Sequence, residues 1–182
     1  RLDNHGTEGT GLYRLFADFQ INNPLGISDF LNLSILHASS PSNTEFWRVF
    51  YQTNIFSPRW KFNFGSSENQ FLVDKSTLGT SLDLRGTVRV NDFCLRYDLQ
   101  RSRKNNSRIE LKYEDVKSDL RIGDFNSDAF DESVENLTLS YTYDTLDEIN
   151  KSLNQASYKL ISSEITFGAD PEQDKKAVIF QA

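Results

Sequence analysis

Apolar and polar positions alternate along most of this chain. From Tyr13 to Asn22, the residues Tyr13, Leu15, Ala17, Phe19 and Ile21 share one parity, while Arg14, Asp18, Gln20 and Asn22 share the other. Successive side chains of a strand point to opposite faces, so this period of two predicts a strand with one apolar and one polar face. The same reading applies to Leu31, Leu33 and Ile35, to Trp47, Val49 and Tyr51, and to Trp60, Phe62 and Phe64. It applies again to Ile109, Leu111 and Tyr113, and to Leu137, Leu139, Tyr141 and Tyr143. Between Leu82 and Leu99 the apolar parity changes, with Leu84, Val88 and Val90 before and Phe93, Leu95 and Tyr97 after. One extra residue restores facing, so a β-bulge is expected at Asn91 and Asp92. A less regular candidate strand runs over 157–168.

The pattern predicts an all-β, antiparallel protein of about eight to ten strands, most of about ten residues or more, where ordinary globular strands average about 5–6. Membrane-spanning strands need about 9–11 residues. The links at Ser57-Pro58-Arg59 and Lys104-Asn105-Asn106 read as short, and those at 37–44, 74–80 and 120–133 as long and polar. Short and long links that alternate are the habit of outer-membrane barrels. Two links fit less well, 22–29 and 146–155, and Leu146, Ile149 and Leu153 would also suit a short helix.

Composition narrows the chemistry. The chain has 182 residues, enough for one domain, with 37% hydrophobic and 13% aromatic residues. A net charge of −6 argues against nucleic acid as a partner, because phosphate affinity needs clustered cations. Cys94 is the single cysteine, which leaves no disulfide framework or thiolate metal site. No apolar run reaches the length of a membrane helix, and no signal peptide is recognisable. Opening on Arg1 and lacking methionine, the sequence reads as an internal piece of a longer precursor.

Candidate catalytic and metal-binding groups are sparse. His5 and His37 belong to no zinc motif and read as solvated. The acidic stretch holding Asp124, Asp128, Asp131, Glu132 and Glu135 lacks calcium-loop spacing. The basic cluster of Arg96, Arg101, Arg103, Lys104 and Arg108 surrounds a turn without interleaved aromatic residues, and reads as a solvated hairpin end. No enzyme, cofactor or metal is expected. What remains is the polar face itself, with Arg14, Asp18, Gln20, Arg48, Gln52, Lys61, Glu110, Lys112 and Glu114. In a soluble β-sandwich that face would meet water and the apolar face would form the core; in a lipid-embedded barrel it would line a hydrated lumen. Alternation alone leaves both open.

Two segments carry a resemblance. Residues 2–34 contain Asp3, Asn4, Gly6, Thr10, Gly11, Tyr13 and Arg14, then Asn23, Pro24, Leu25, Gly26 and Asp29. This order resembles the start of the barrel in outer-membrane transporters of two-partner secretion, the haemolysin secretion/activation proteins. Residues 95–115 are similar to that family's hairpin through Leu95, Tyr97, Leu99, Arg101, Ser102, Arg103 and Asn106. Asp98 stands where the family usually has proline.

The resemblance implies a transmembrane barrel of about 16 strands, of which residues 1–182 would supply the N-terminal portion, from within the first strand to about the tenth. Two periplasmic POTRA domains, a plug helix, an inward loop with Val-Arg-Gly-Phe, and the C-terminal half of the barrel are expected to lie outside this chain. The implied function is export, and thereby activation, of a haemolysin- or adhesin-type exoprotein through the lumen, in the bacterial outer membrane. Lumen-lining residues would be Arg14, Asp18, Gln20, Arg48, Gln52, Lys61, Glu110 and Lys112. Expected partners are the exoprotein client, outer-membrane lipid, and the rest of the same barrel or a second copy, since open strand edges are not tolerated in hydrocarbon. The alternatives are a self-contained small porin-like barrel and a soluble β-sandwich that binds a ligand.

Overall fold

A computed structural model describes residues 2–3, 11–40, 43–73, 84–123, 131–147, 151–167 and 175–181. They form ten strands: β1 (Leu2–Asp3), β2 (Tyr13–Asn22), β3 (Phe30–Ser39), β4 (Asn43–Asn54), β5 (Trp60–Val73), β6 (Leu84–Arg101), β7 (Asn105–Ile122), β8 (Glu132–Asp147), β9 (Ser152–Phe167) and β10 (Lys175–Gln181). Every strand pairs antiparallel with its sequence neighbours in one ten-stranded meander. There is no second sheet among the described residues for a sandwich, and no ladder joins β10 to β1.

Register carries each face unbroken across the sheet. Asp18 stands opposite Ser34, Ser34 opposite Arg48, Arg48 opposite Ser67, and Ser67 opposite Val90. On the other face Phe19 stands opposite Leu33, Leu33 opposite Val49, and Tyr51 opposite Phe64. The two faces differ in exposure. On the polar face Ala38 is 1% exposed, Cys94 6% and Asp98 5%, whereas on the apolar face Phe19 is 58% and Leu137 49% exposed. Crowding on one side only is what curvature towards the polar face produces.

The strands lengthen along the sheet, from 10 residues in β2 and β3 to 18 in β6 and β7. The extra length accounts for the change of parity between Leu82 and Leu99, and it corrects the expected bulge. Register runs without a shift from Leu84 to Asp98, through Asn91 and Asp92, and the irregularity falls instead between Asp98 and Gln100. Facing therefore does not change; the surroundings do. Phe93, Leu95 and Tyr97 lie on the apolar face, and the next residues on that same face are Asn91, Arg89, Thr87 and Arg85. Meanwhile Val90, Val116, Val134 and Ile165 run as an apolar row across the opposite face.

A charged row marks this boundary. Glu68 faces Arg89, Arg89 faces Lys117, Asp115 faces Glu135, Glu135 faces Glu164, and Glu164 faces Lys176. Ion pairs tie it together, at 2.5 Å for Arg89 with Glu68, 3.4 Å for Lys117 with Asp115 and 2.8 Å for Lys176 with Glu164. On the far side of the apolar band, the Trp60 and Tyr97 rings lie 4.5 Å apart beside the turn that links β4 to β5.

Several links differ from the expected ones. Strand β3 runs on through His37 to Ser39 and β4 begins at Asn43, so the expected long link at 37–44 is mostly ladder. His37 opposes Glu45 there, with Nδ1 3.3 Å from the carboxylate. Likewise Leu120 lies in β7 and Ser133 in β8, with 124–130 outside the described residues. The alternative helix near Leu146 is not formed: β8 continues to Asp147, Lys151 takes φ +50° and β9 begins at Ser152. The link near 104 turns at Ser102 to Lys104, and Asn105 and Asn106 already belong to β7.

Candidate functional site

The polar face between the turns and the charged row gathers the chain's chemistry. Arg14, Asp18, Gln20, Arg48, Gln52, Lys61, Glu110, Lys112 and Glu114 come from four strands, and the ladders put all of them on this one face. They do not converge on a point, and each neighbourhood has its own chemistry.

Asp18 is held by its partners. One carboxylate oxygen accepts hydrogen bonds from Ser34 Oγ at 2.6 Å and Asn32 Nδ2 at 2.9 Å, and the other accepts from Gln20 Nε2 at 3.2 Å. Arg48 lies over the Phe50 ring, 5.7 Å from its centroid, and stands between Ser34 and Ser67. Further along, Asp92 and Glu114 oppose one another across the β6–β7 ladder, and Lys112 Nζ donates to Glu114 at 2.5 Å. Asp92 also fills the space where a side chain at Gly65 would lie, so this glycine admits the carboxylate to the face. Cys94 is buried opposite Asn63 and Lys112, on the polar face and not among the apolar residues of the other.

At the turn end, Lys61, Arg96, Arg101 and Arg108 surround a hollow of about 210 Å³ together with Asp98 and Asp144. Arg96 Nε donates to Asp98 at 2.9 Å, and Asp144 accepts from Asn106 Nδ2 at 2.9 Å. Of these cations Lys61 is expected on the polar face, whereas Arg96, Arg101 and Arg108 are expected only as part of a solvated hairpin end; the bulge that returns Arg101 to the polar face is invisible in alternation. A larger hollow, about 780 Å³, lies at the opposite end among Glu45, Arg85, Arg89, Lys117, Asp119 and Arg121. Both charge signs line it and the ladders put these charged residues on the other face of the sheet, so it adds nothing to the site. No group of potential metal ligands occurs among the described residues.

The motif residues build turns. Asn23 (φ +59°) accepts the Ser28 N–H on its side-chain oxygen at 2.8 Å, and Gly26 holds φ +77°. Asp29, 4% exposed, accepts the Leu25 N–H at 3.2 Å and the Tyr51 hydroxyl at 3.0 Å. Pro24 precedes Leu25 within this turn, where its fixed φ limits the alternatives. In the second motif Ser102 Oγ accepts the Asn105 N–H at 2.8 Å, and the Ser102 N–H donates to Asn105 O at 3.0 Å. Arg101 opposes Asn106, while Arg103 is exposed in the turn. Asp98 uses the N–H that a proline would lack, donating to Arg59 O at 2.9 Å. Asp3 pairs with Arg14, Gly11 takes φ +93°, and Tyr13 begins β2. Asn4, His5, Gly6 and Thr10, with Asp124 and Asp128, lie outside the described residues.

Comparison with known proteins settles what kind of sheet this is. The model of the haemolysin secretion/activation protein family ShlB/FhaC/HecB matches residues 1–178. The chain belongs to this family. Among solved structures, CdiB from Escherichia coli superposes with a TM-score of 0.75 at 16% identity, over 96% of this chain and 32% of that one. CdiB from Acinetobacter baumannii gives 0.66 at 15% identity, over 92% of this chain and 30% of that one. No curated protein matches the sequence. The chain thus spans about a third of the length of these structural neighbours, and shares their fold. The ten-stranded sheet is part of an outer-membrane β-barrel of a two-partner secretion protein from a Gram-negative bacterium.

Proposed function

We propose that this chain is the N-terminal part of a protein-translocating channel, which exports a haemolysin- or adhesin-type exoprotein and so activates it. Its polar face lines the lumen, its apolar face meets lipid, and the remaining strands of a barrel of about 16 close on β1 and β10. The observation that carries the reading is the opposition of the two faces within one ladder. From Asn105 to Tyr113 the apolar-face positions Asn105, Ser107, Ile109, Leu111 and Tyr113 carry no charge. At about 3.4 Å per residue and a tilt near 45°, that stretch rises roughly 20 Å, close to the roughly 25 Å apolar band of outer-membrane barrels. On the opposite side of the same strand stand Arg108, Glu110, Lys112 and Glu114. A segment so divided suits a wall between hydrocarbon and water.

Family membership supplies the transport role, with the short turns on the periplasmic side. Transport would proceed without covalent chemistry. An extended polypeptide crosses a lumen whose mixed charges, including Arg14, Asp18, Gln20, Arg48, Gln52, Lys61, Glu110 and Lys112, keep water in place and hold no segment tightly. Planar-bilayer recordings of the intact transporter test this. Neutralising Arg14, Asp18, Arg48, Lys61, Glu110 and Lys112 together to Gln or Asn is expected to change both conductance and ion selectivity. Unchanged values for both would remove the lumen assignment.

A further inference from the structure

The turn end of the polar face holds an imbalance of charge that a merely water-filled wall does not need. Four cations, Lys61, Arg96, Arg101 and Arg108, border the hollow of about 210 Å³, against two carboxylates, Asp98 and Asp144. They come from three strands and are brought together by register, with Lys61 opposite Arg96, Asp98 opposite Arg108, and Arg101 opposite Asn106. Both carboxylates are already engaged, Asp98 by Arg96 at 2.9 Å and Asp144 by the Asn106 amide at 2.9 Å. Lys61, Arg101 and Arg108 make no ion pair among the described residues. Further into the polar face the balance differs, since Glu110 stands opposite Arg96, Lys112 is paired with Glu114 and Asp18 is held by neutral groups. In a chain of net charge −6, the cationic excess is local to this mouth.

We infer that Lys61, Arg96, Arg101 and Arg108 form a carboxylate-binding vestibule, which takes acidic segments of a polypeptide as it enters from the turn side. The inference rests on the channel reading above and names the chemistry of its first contact. Guanidinium and ammonium groups are donors only, and arginine's planar fork matches a carboxylate with two parallel hydrogen bonds. A cleft bordered by one sign of charge concentrates ions of the other sign and speeds their arrival. Exposed and partly exposed cations on long side chains would hold each carboxylate weakly, so a chain could be captured at the mouth and then released inward.

The test uses the intact transporter in planar bilayers, with a short oligoglutamate peptide added to one side at a time. Oligoglutamate on the turn side should interrupt the current at concentrations about tenfold lower than on the other side. The triple variant Lys61→Gln, Arg101→Gln, Arg108→Gln should raise the turn-side blocking concentration about tenfold. Arg96 is left in place because its loss would strand the buried Asp98 carboxylate. Monomeric glutamate, at the same concentration of carboxylates, should not block.

Equal block from both sides, block unchanged in the triple variant, or equal block by oligolysine would each overturn the vestibule. Block by monomeric glutamate as strong as that by the peptide would assign the site to small anions and overturn polypeptide capture. The side-to-side comparison is made on the unaltered protein, so it decides even if the variant fails to fold. Absence of any conductance in the unaltered protein would count against the channel reading itself, which separates the two failures.

Discussion

Asp29 sits just before β3 with its carboxylate turned back over its own turn. It accepts from the Leu25 N–H and from the Tyr51 hydroxyl, and it is buried. Replacing it by alanine leaves both donors without their acceptor. Asp29→Ala should destabilise the intact protein by about 1–3 kcal/mol, and Asp29→Asn, which keeps an acceptor, by less. Urea unfolding in lipid vesicles followed by tryptophan fluorescence checks the order, and equal stability of all three proteins would contradict it. Asn23, Pro24 and Gly26 read as a turn from sequence because their local backbone preferences are their own. The role of Asp29 did not, since its partner Tyr51 is 22 positions away on β4. Gly65 is a similar case. Only the β5–β6 register shows that its missing side chain makes room for Asp92.

Strand β7 shows most plainly what an element of this sheet must satisfy. Leu111 is 43% exposed on the apolar face, whereas Ser140, opposite Glu110, lies on the polar face. The proposed function puts lipid on one side and water on the other, so it gives a charge on the two faces very different costs. Leu111→Arg should destabilise the folded barrel by about 2–4 kcal/mol, the penalty for a charge near mid-bilayer. Ser140→Arg should stay within about 0.5 kcal/mol, as a solvated position does. Equal costs at the two positions would remove the assignment of faces.

The centres of the strands were legible in the sequence for the same reason, because alternation reports a difference between two environments. Their ends were not. Beyond the apolar band Arg85, Thr87 and Arg89 replace Phe93, Leu95 and Tyr97 on one side, and Val88 and Val90 take the other. A strand whose apolar band ends part-way along then mimics a strand that has slipped by one residue, which is why a bulge is expected at Asn91 and Asp92. The true irregularity follows Asp98, where Leu99 keeps an apolar side chain and gives no signal. The candidate site divided along the same line. Residues at strand centres, such as Glu110 and Lys112, could be assigned to the polar face from parity, but Arg101 could not, because the bulge precedes it.

At the scale of the whole molecule, ten strands form an open wall. Hydrocarbon tolerates neither unpaired backbone groups nor an exposed edge, so on the proposed reading β1 and β10 would pair with the remainder of the barrel. Charge is distributed over this wall in layers: cations in excess at the turn end of the polar face, mixed charges along it, and a paired row of both signs bordering the apolar band on the other face. The central claim is that lipid and water lie on the two sides of this single sheet. It is tested most directly by a cysteine scan of residues 108 to 114 in the intact transporter, with Cys94 replaced by serine. Each variant would be treated in membranes with a charged, membrane-impermeant maleimide. Positions 108, 110, 112 and 114 are predicted to react, and 109, 111 and 113 to be protected until the membrane is dissolved. Uniform reactivity, or protection of the even positions and reaction of the odd ones, would contradict the account.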